Sequence, residues 1–378
     1  MTKRTKRVSG SYLDEVLTKA IQLEYLTKDE LLFLYQNAPL GELMTAATLI
    51  RNKFADPNTV TWMIDRNINI TNICVCGCNF CNFYTKANSP LACTTTKDEY
   101  RLKINELFKK GGNQILLQGG LNPKLKLNFY TKLFEWLKHE FPTLKIHALG
   151  PPEINFISKL EKISIPETLT HLINAGLDSL PGAGAEILSD RVRKIISPNK
   201  CSASDWLEVM RQAHKINLLT SATMVFGHVE TIEERIEHLL LLRKLQNEKP
   251  AHAHGFKAFI AWTLQKANTM LMLKNPEIET VTASEYIRMI ALSRLALVNI
   301  QNIQASWLTV GKDVAQICLH AGANDLGSIM IEENVVASTG THFSMNAKQM
   351  QQTIIEAGYV PLKRNQDYGN FRKSPYTK

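Results

Sequence analysis

Long hydrophobic runs are absent from this chain of 378 residues. No uninterrupted apolar stretch approaches the roughly 18 residues that a membrane-spanning helix needs, so we expect no membrane partner. The basic opening, residues 1–7, leads into no apolar stretch before Asp14, which is unlike a secretory signal. Both absences make the cytoplasm the expected location.

Glycine and proline are also scarce, with 19 and 14 residues, which excludes a collagen-like or low-complexity chain. Hydrophobic residues make up 44% of the sequence, enough for a large core, so a disordered chain is excluded as well. Lys and Arg outnumber Asp and Glu by 44 to 35, but no block of five or six like charges occurs. The net charge of +9 therefore indicates a solvated basic surface and predicts no nucleic-acid partner.

Disulfide pairing does not account for the cysteines. There are seven, an odd number, and four of them lie within the eight residues 74–81. A cytosolic protein of this size does not use a disulfide framework, and such crowding in a reducing compartment indicates a metal site.

The order of elements predicts an α/β fold. Apolar residues at helical spacing in residues 11–55 predict an N-terminal helical extension over residues 1–55. One domain, residues 56–345, follows with eight candidate strands between helical patterns: Trp62–Ile70, Gln114–Gln118, Lys145–Leu149, Asp178–Leu180, Ser221–Phe226, Gly255–Ala261, Ile303–Leu308 and Gly327–Ile331. Eight such units favour a parallel (β/α)8 TIM-like barrel, with an open doubly wound sheet as the alternative. Residues 346–378 are predicted to form a C-terminal helix and a polar tail.

Three segments begin with the capping-box pattern, in which a threonine and the glutamate three residues later cover free backbone N–H groups. The pairs are Thr96 with Glu99, Thr231 with Glu234, and Thr282 with Glu285. They predict helices near 97–111, 231–247 and 283–298. A further apolar pattern predicts one helix over 152–176.

The strongest chemical signal is the segment from Cys74 to Cys81, directly after the first candidate strand. Cys74, Cys78 and Cys81 form a CxxxCxxC triplet. Three thiolates on one short loop can hold three irons of a cubane cluster and leave the fourth iron without a protein ligand. The alternative is a structural zinc site with Cys76 as the fourth ligand. Zinc sites usually take their ligands from two separated pairs, so the spacing favours the cluster.

This triplet, with Phe80 just before its last cysteine, resembles the signature of the radical S-adenosylmethionine superfamily. The resemblance implies a 4Fe-4S cluster on Cys74, Cys78 and Cys81, with S-adenosylmethionine bound to the open iron. It also implies an electron donor such as flavodoxin or ferredoxin, and a 5′-deoxyadenosyl radical that takes hydrogen from a substrate. The implied fold is a parallel barrel of the radical S-adenosylmethionine type, with the site at the carboxyl ends of its strands.

Three stretches at later strand ends resemble cofactor-binding segments of the same family. The glycine pair 119–120 resembles the segment whose backbone meets the amino group of S-adenosylmethionine, although a simple turn is the alternative. The stretch 181–193 offers a carboxylate to ribose hydroxyls and arginines to a carboxylate, with surface charge as the alternative for the arginines. The stretch 223–230 resembles a G-x-I-x-G-x-x-E segment along the adenine, with Thr223 in place of the first glycine. The implied cofactor-binding residues are Gly119, Gly120, Glu186, Arg191, Arg193, Thr223, Val225 and Gly227.

Within the superfamily, the chain resembles the enzymes of the futalosine route to menaquinone and their relatives that build the deazaflavin chromophore. Segments 119–123, 184–188, 302–307 and 322–328 carry this likeness, and the last two favour the branch that closes a ring on dehypoxanthine futalosine. The implied reaction takes hydrogen from ribose C4′, adds the carbon radical to the benzoate ring, and releases a proton and an electron. The alternatives are a synthase that joins adenosyl to an enolpyruvyl benzoate, and one half of a deazaflavin synthase.

Candidate residues for the substrate are side chains that could bind a benzoate or act as a base and that lie on or near the predicted strands. A benzoate needs a cation or hydrogen-bond donors, and the radical adduct needs a base, for which Asp325 and His228 are the candidates. The candidate substrate-binding residues are Asp65, Arg66, Asn69, Tyr84, Trp262, Thr309, Asn324 and Glu332. The sequence leaves a homodimer open. An RNA-binding protein with a structural zinc, the alternative from another class, would need a basic patch interleaved with aromatic residues, and the sequence shows none.

Overall fold

The first strand is built from alternating inward and outward residues and is broken once. β1 (Thr59–Met63) and β2 (Asp65–Asn69) follow each other with only Ile64 between them. The structure, a computed structural model, describes residues 10–265, 269–332, 344–369 and 372–373.

Ten of the described strands run parallel in one sheet. The strands that follow β1 and β2 along the chain are β3 (Gln114–Gln118), β4 (Lys145–Ala148), β5 (Ser179–Leu180), β6 (Leu219–Phe226), β7 (Phe256–Thr263), β8 (Asn302–Gln304), β9 (Asp325–Ser328), β10 (Val360–Lys363) and β11 (Arg372–Lys373). Only β11, which pairs with β10, is antiparallel among them.

The sheet curls into a ring because β1 and β2, which pair with different strands, are consecutive parts of one strand. β2 pairs with β3, each later strand pairs with the next as far as β9, and β9 pairs with β1. Backbone bonds from Ile329 N to Met63 O (3.2 Å) and from Asn67 N to Ile331 O (3.0 Å) continue this seam. The prediction of a parallel barrel is confirmed, since strands on both sides of the first strand complete the ring.

Helices fill the connections around the barrel. Those after the first strand are α4 (Lys97–Lys109), α5 (Leu127–Glu140), α6 (Pro151–Glu161), α7 (Ile165–Asn174), α8 (Asp190–Ile196), α9 (Ala203–Lys215), α10 (Ile232–Glu248), α11 (Met270–Lys274), α12 (Ala283–Ala296), α13 (Trp307–Val310), α14 (Lys312–Leu319) and α15 (Ala347–Glu356). The capping boxes predicted for α4 and α10 are present. At α12 the threonine caps the helix, but Glu285 accepts instead from the Tyr35 hydroxyl (2.5 Å) and from Arg235.

Two predicted elements are wrong in extent. The single helix expected over 152–176 is divided into α6 and α7, because Lys162 takes a left-handed φ of 56° and Pro166 starts a new helix. The strand expected over 303–308 ends at Gln304, and Trp307 already begins α13.

The N-terminal helices cover the amino ends of the strands. These helices are α1 (Gly10–Ile21), α2 (Lys28–Asn37) and α3 (Leu40–Phe54). Arg51 of α3 is buried and donates to Thr59 O at 2.6 Å and to Ala323 O at 3.1 Å, where β1 and β9 begin. The carboxyl ends of the strands therefore lie on the side away from these helices. No helix in the described part of the chain is long and apolar enough to cross a membrane.

The C-terminal segment is more than a polar tail. β10 extends the sheet beside β1, and Arg364 N continues the pairing by donating to Trp62 O at 2.9 Å. Residues 364–368 then turn under the barrel, where Gln366 accepts from Gln114 at 3.1 Å. The helix predicted in this segment is present as α15, and three residues of the polar stretch after it, Arg364, Gln366 and Tyr368, line the interior of the barrel.

Candidate active site

A cavity of about 400 Å³ lies inside the barrel. Its wall includes Met63, Asp65, Asn67 and Asn69, the inward set of the first strand, because successive strand residues point to opposite faces. The loop 70–95 and the ends of β3, β6 and β7 surround its carboxyl side, and the segment 364–368 forms its floor. The volume suits a small molecule.

The loop that carries the cysteines is held by backbone hydrogen bonds. Cys74 N donates to Thr85 O at 3.1 Å, and Val75 N donates to Leu121 O at 3.0 Å. Gly77 takes a left-handed φ of 59°, which glycine adopts without strain and which turns the chain back. As a result, Cys74, Cys76, Cys78 and Cys81 all line the cavity.

The thiols differ in acidity. The Cys74 sulfur accepts from the backbone N–H of Cys76 (3.4 Å) and of Leu121 (3.3 Å). The Cys76 thiol, which can donate its one hydrogen to either neighbouring sulfur, is the main cause that lowers the pKa of Cys74 and of Cys78. Cys76, which lies between them as the donor, has a raised pKa, and burial raises the pKa of Cys81.

This donor set fits an iron–sulfur cluster. Thiolates are the ligands of such clusters, and the pKa is lowered at two of the three predicted ligands, Cys74 and Cys78. In the described ranges, no three His, Cys, Asp or Glu side chains converge as the ligands of a single metal ion would. Cys74, Cys78 and Cys81 instead face a shared volume.

The glycine pair at the end of β3 has a packing role. A Cβ on Gly120 would collide with the Ile73 carbonyl and the Cys74 side chain, so only glycine lets the cysteine loop lie against this strand. Gly119 N donates to Glu153 at 3.1 Å, and Gly120 N donates to Thr71 O at 2.8 Å. Both glycines line the cavity as predicted, but both amides are already bonded to protein.

Glu186 also lines the cavity, where it pairs with a lysine that the sequence did not single out. The Lys200 ammonium forms an ion pair with Glu186 and lies 5.3 Å from the centre of the Phe80 ring. Burial raises the pKa of Glu186, but the charge and hydrogen bond of Lys200 outweigh burial and leave the pKa lowered. A buried cation thus lies beside the thiols. The lysine was missed because it stands in a loop with no motif around it.

The stretch along β6 is divided between the cavity and its surroundings. Thr223 and Val225 line the cavity, and Thr223 donates to Gly182 O at 2.6 Å. Gly227 and His228 come after the strand and do not line it. The His228 ring contacts Val225 O at 2.9 Å and Glu230 at 2.8 Å, and its side chain is enclosed. The place of His228 does not support a role as base, because its ring nitrogens face protein groups.

The two arginines predicted to bind a carboxylate lie outside the cavity. Arg191 is half exposed and pairs with Glu234 at 2.5 Å. Arg193 is buried and donates to Ala185 O at 2.8 Å and to Cys201 O at 2.6 Å, so it fixes backbone. The alternative of surface charge describes Arg191, and Arg193 is a structural residue.

Strand alternation separates the residues proposed on the first strand. Asp65 and Asn69 face the cavity, whereas Arg66 points outward and forms ion pairs with Glu106 and with Glu332 (2.5 Å). Glu332 also pairs with Lys103. Arg66 and Glu332 thus belong to an ionic network on the outer face of the seam, and the prediction that they bind substrate is not supported.

Asp325, the other candidate base, is fully buried below the cavity. Its carboxylate accepts from Arg364 at 2.5 and 2.8 Å, from Gly327 N at 2.7 Å, and from Thr61. All of its acceptor capacity near the cavity is taken, so a role as base is not supported. The sequence placed it at the end of a strand, but it begins β9.

Asn324 and Thr309 are likewise occupied elsewhere. Asn324 accepts from Arg294 at 2.8 Å and donates to Asn302 at 2.8 Å at the amino end of β9. The Thr309 hydroxyl donates to the hydroxyl of Ser306, the residue before α13, at 3.2 Å. Neither lines the cavity, whereas Tyr84 and Trp262 do.

Several lining residues were not predicted. Glu153 is buried, and burial raises its pKa to about 7 although it accepts from the N–H groups of Gly119 and Gly150. His147 lies at the floor beside Ser179 (2.7 Å), and burial lowers its pKa to about 3, so it is neutral. The floor residues Arg364, Gln366 and Tyr368 come from the C-terminal segment. These three residues were not predicted, because they lie far along the chain from the motifs that indicate the site.

A closed parallel barrel with three thiols of one loop facing its cavity defines a class of enzyme. Residues 68–242 match the family model "Radical SAM superfamily", and residues 253–377 match "CofH/MqnC C-terminal region". The chain belongs to the radical S-adenosylmethionine superfamily, whose members use a 4Fe-4S cluster and S-adenosylmethionine. This membership favours the iron–sulfur cluster over the zinc alternative.

Named relatives narrow the likeness. The chain is 41% identical to "Cyclic dehypoxanthine futalosine synthase" of Streptomyces coelicolor, over 94% of this chain and 88% of the relative. It is 37% identical to the protein of that name from Halalkalibacterium halodurans, over 94% of each chain. It is also 38% identical to "5-amino-6-(D-ribitylamino)uracil--L-tyrosine 4-hydroxyphenyl transferase 1" of Methanosarcina acetivorans, over 92% of this chain and 93% of the relative.

Solved structures share the fold. Methylornithine synthase (PylB) aligns with a TM-score of 0.68 at 19% identity, covering 93% of this chain and 98% of that chain. The FeFe-hydrogenase maturase HydG aligns with a TM-score of 0.72 at 15% identity, covering 94% of this chain and 76% of that chain.

Proposed function

We propose that this enzyme converts dehypoxanthine futalosine to its cyclic product in menaquinone biosynthesis. The observation that carries the proposal is the 41% identity, over nearly the whole chain, with a protein of that stated activity. The substrate is a ribose that carries a 3-carboxyphenyl ketone. Hydrogen leaves ribose C4′, the carbon radical adds to the benzoate ring, and loss of a proton and an electron restores aromaticity.

Cys74, Cys78 and Cys81 would hold the cluster in this reaction. When bound together, the cluster and S-adenosylmethionine supply the 5′-deoxyadenosyl radical. The Lys200 ammonium, buried beside Cys78, offsets the negative charge of the thiolates. Thr223, Val225 and Glu186 line the adjoining wall and are the proposed contacts of the adenosine.

The cavity separates a reactive carbon radical from water. Phe80, Tyr84 and Trp262 line its carboxyl side, and the segment 364–368 closes its floor. Exclusion of water suppresses quenching of a radical by solvent or buffer hydrogen. The wall below the cysteine loop is polar, with Asp65, Asn67 and Asn69, as a ribose with several hydroxyls requires.

A second candidate is supported by the relatives named as hydroxyphenyl transferases, at 38% identity. Their names state tyrosine and 5-amino-6-(D-ribitylamino)uracil as the reactants. The two activities are distinguished by substrate, since the barrel and cysteine loop serve both.

The test is an anaerobic incubation of the reconstituted, chemically reduced protein with S-adenosylmethionine and each substrate set, analysed by mass spectrometry. We expect 5′-deoxyadenosine and a product two hydrogens lighter than dehypoxanthine futalosine. Turnover of tyrosine with the uracil, and none of dehypoxanthine futalosine, would establish the second candidate. A flavodoxin or ferredoxin is the proposed physiological electron donor and can replace the chemical reductant.

The ligand assignment has its own control. Cys78→Ser is expected to lose the cluster, measured as iron and sulfide per chain, because the thiolate is removed from the triplet. Cys76→Ser and the exposed Cys93→Ser are expected to keep it. Loss of iron in Cys76→Ser with retention in Cys78→Ser would contradict the assignment.

A further inference from the structure

Two buried acceptor atoms in the cavity wall have no partner. Oδ1 of Asp65 and Oδ1 of Asn67 accept no hydrogen bond from any described residue. Their residues are only 6% and 3% exposed, and both face the cavity from neighbouring inward positions of β2. A buried acceptor left unpaired costs about 1–3 kcal/mol, so the pair is expected to meet a ligand.

Asp65 lies deeper in the barrel than the cysteine loop. Five residues of extended strand, about 16 Å at 3.3 Å per residue, separate it from Ile70, where that loop begins. The cavity wall beside it is formed by Ser328, Gln114 lies close by, and Arg364 rises from the floor. A substrate that fills the cavity below the adenosine therefore meets the free oxygen of Asp65.

We infer that Asp65 is the base that takes the ring proton in the last step of the cyclisation, an inference that rests on the proposed function. In this step the ring C–H bond breaks and an O–H bond forms on the Asp65 carboxylate, while both electrons of the C–H bond stay on the ring. One electron then leaves the ring radical anion for an acceptor of the iron–sulfur class. The products are the aromatic ring and a protonated carboxyl that returns its proton to solvent.

The groups around Asp65 leave it basic enough for this step. Burial raises the pKa of Asp65 to about 6, although hydrogen bonds from Ser328 and Gln114 and the charge of Arg364 act in the opposite direction. Arg364 is neutralised by Asp325, and His147 across the floor is uncharged. Asp65 is therefore ionised at neutral pH and becomes protonated as the pH falls through about 6.

The test counts hydrogen abstraction and product separately. Substrate deuterated at ribose C4′ is incubated with the reconstituted enzyme, and deuterated 5′-deoxyadenosine and cyclic product are measured. In the wild type we expect nearly one product per deoxyadenosine. Asp65→Asn is expected to keep forming deoxyadenosine while the ratio of product to deoxyadenosine falls at least tenfold, since a general base contributes 100-fold or more. Asp98→Asn, the same change on the exposed side of α4, is expected to keep the wild-type ratio.

Two further measurements do not depend on turnover. Substrate binding to the cluster-free protein, by calorimetry, is expected to change less than threefold in Asp65→Asn. Infrared spectra of the cluster-free wild type should show a protonated carboxyl component that rises as the pH falls through about 6, beside that of Glu153, and only this component should be missing from Asp65→Asn. The wild-type product ratio should decline over the same pH range, which tests the base even if the variant does not fold.

The outcomes separate the two proposals. An unchanged product ratio in Asp65→Asn overturns the base and leaves the proposed function intact. Loss of substrate binding with an unchanged ratio also overturns it and makes Asp65 a substrate ligand. A wild-type protein that forms deoxyadenosine but no cyclic product overturns the proposed function and the base with it.

Discussion

At the scale of single residues, the buried ion pair of Lys200 and Glu186 can be tested directly by substitution. Both side chains are almost fully enclosed, at 12% and 7% exposed. Lys200→Met would leave a buried carboxylate without its counterion, which costs about 3–5 kcal/mol of unfolding free energy. Urea unfolding of the cluster-free protein at neutral pH measures this loss. The difference from wild type should narrow in acid, because a lowered carboxyl pKa stabilises the fold above the unfolded value of 4.5 and the benefit disappears as Glu186 is protonated.

Lys159→Met is the matched control for that variant. Lys159 pairs with Asp205 at 3.0 Å, but its side chain is 65% exposed. Such a pair contributes about 1 kcal/mol or less. Equal losses in the two variants would contradict a special role for the buried pair.

Gly120 offers a second test at this scale. Gly120→Ala places a methyl group against the backbone of Ile73, so the cysteine loop must move and iron binding should fall several-fold. Gly41→Ala is the control, because nothing lies within 4 Å of a Cβ there, and it is expected to keep full iron content. Iron and sulfide per chain after reconstitution are the measurement. Full iron content in Gly120→Ala would show that the loop tolerates the displacement.

The sequence predicts which side chains face the cavity where one local rule, such as strand alternation, determines their direction. Alternation along the first strand places Asp65 and Asn69 on one face and Arg66 on the other, so this rule alone would have separated Arg66 from the two residues that line the cavity. Asp325 and Lys200 show where such reasoning ends. The carboxylate of Asp325 is occupied by Arg364, 39 residues later, and no local pattern reports a partner at that distance.

At the scale of elements, the C-terminal segment after β10 stabilises the floor through one ion pair. Arg364 and Asp325 are both buried, so Arg364→Met alone should lower the unfolding free energy by about 3–5 kcal/mol by leaving a lone buried carboxylate. The double variant Arg364→Met with Asp325→Asn should recover part of this loss, since no uncompensated charge remains. Urea unfolding of the wild type, both single variants and the double variant gives the coupling free energy.

Additive losses in that cycle would show that the segment is held by other contacts. That Gln366 and Tyr368 line the cavity could not be predicted from the sequence, because a polar stretch of this length is typical of a tail. The sequence does not show which strand β10 will pair with. The break at Ile64 lets β2 pair with β3 while β1 pairs with β10, which therefore joins the sheet.

At the scale of the whole molecule, both matched family segments contribute to one barrel. β9 and β10 come from the C-terminal segment, yet they pair on opposite sides of β1, and β9 completes the seam. The alternation of eight strands with helices favoured this ring but left an open doubly wound sheet as the alternative, because both folds use right-handed crossovers.

The ring makes the two segments interdependent in folding. Without β7 to β10, residues 1–252 would expose the free edges of β1 and β6 and the apolar inner face that the later strands cover. We expect neither the fragment 1–252 nor the fragment 253–378 to show a cooperative urea transition alone, whereas the full chain gives one transition that circular dichroism and tryptophan fluorescence report together. Trp206, buried in α9, makes the first fragment visible to fluorescence. A sharp transition in fragment 1–252 would mean that the half-barrel is a folding unit by itself, and that the C-terminal strands were added to a core that did not need them.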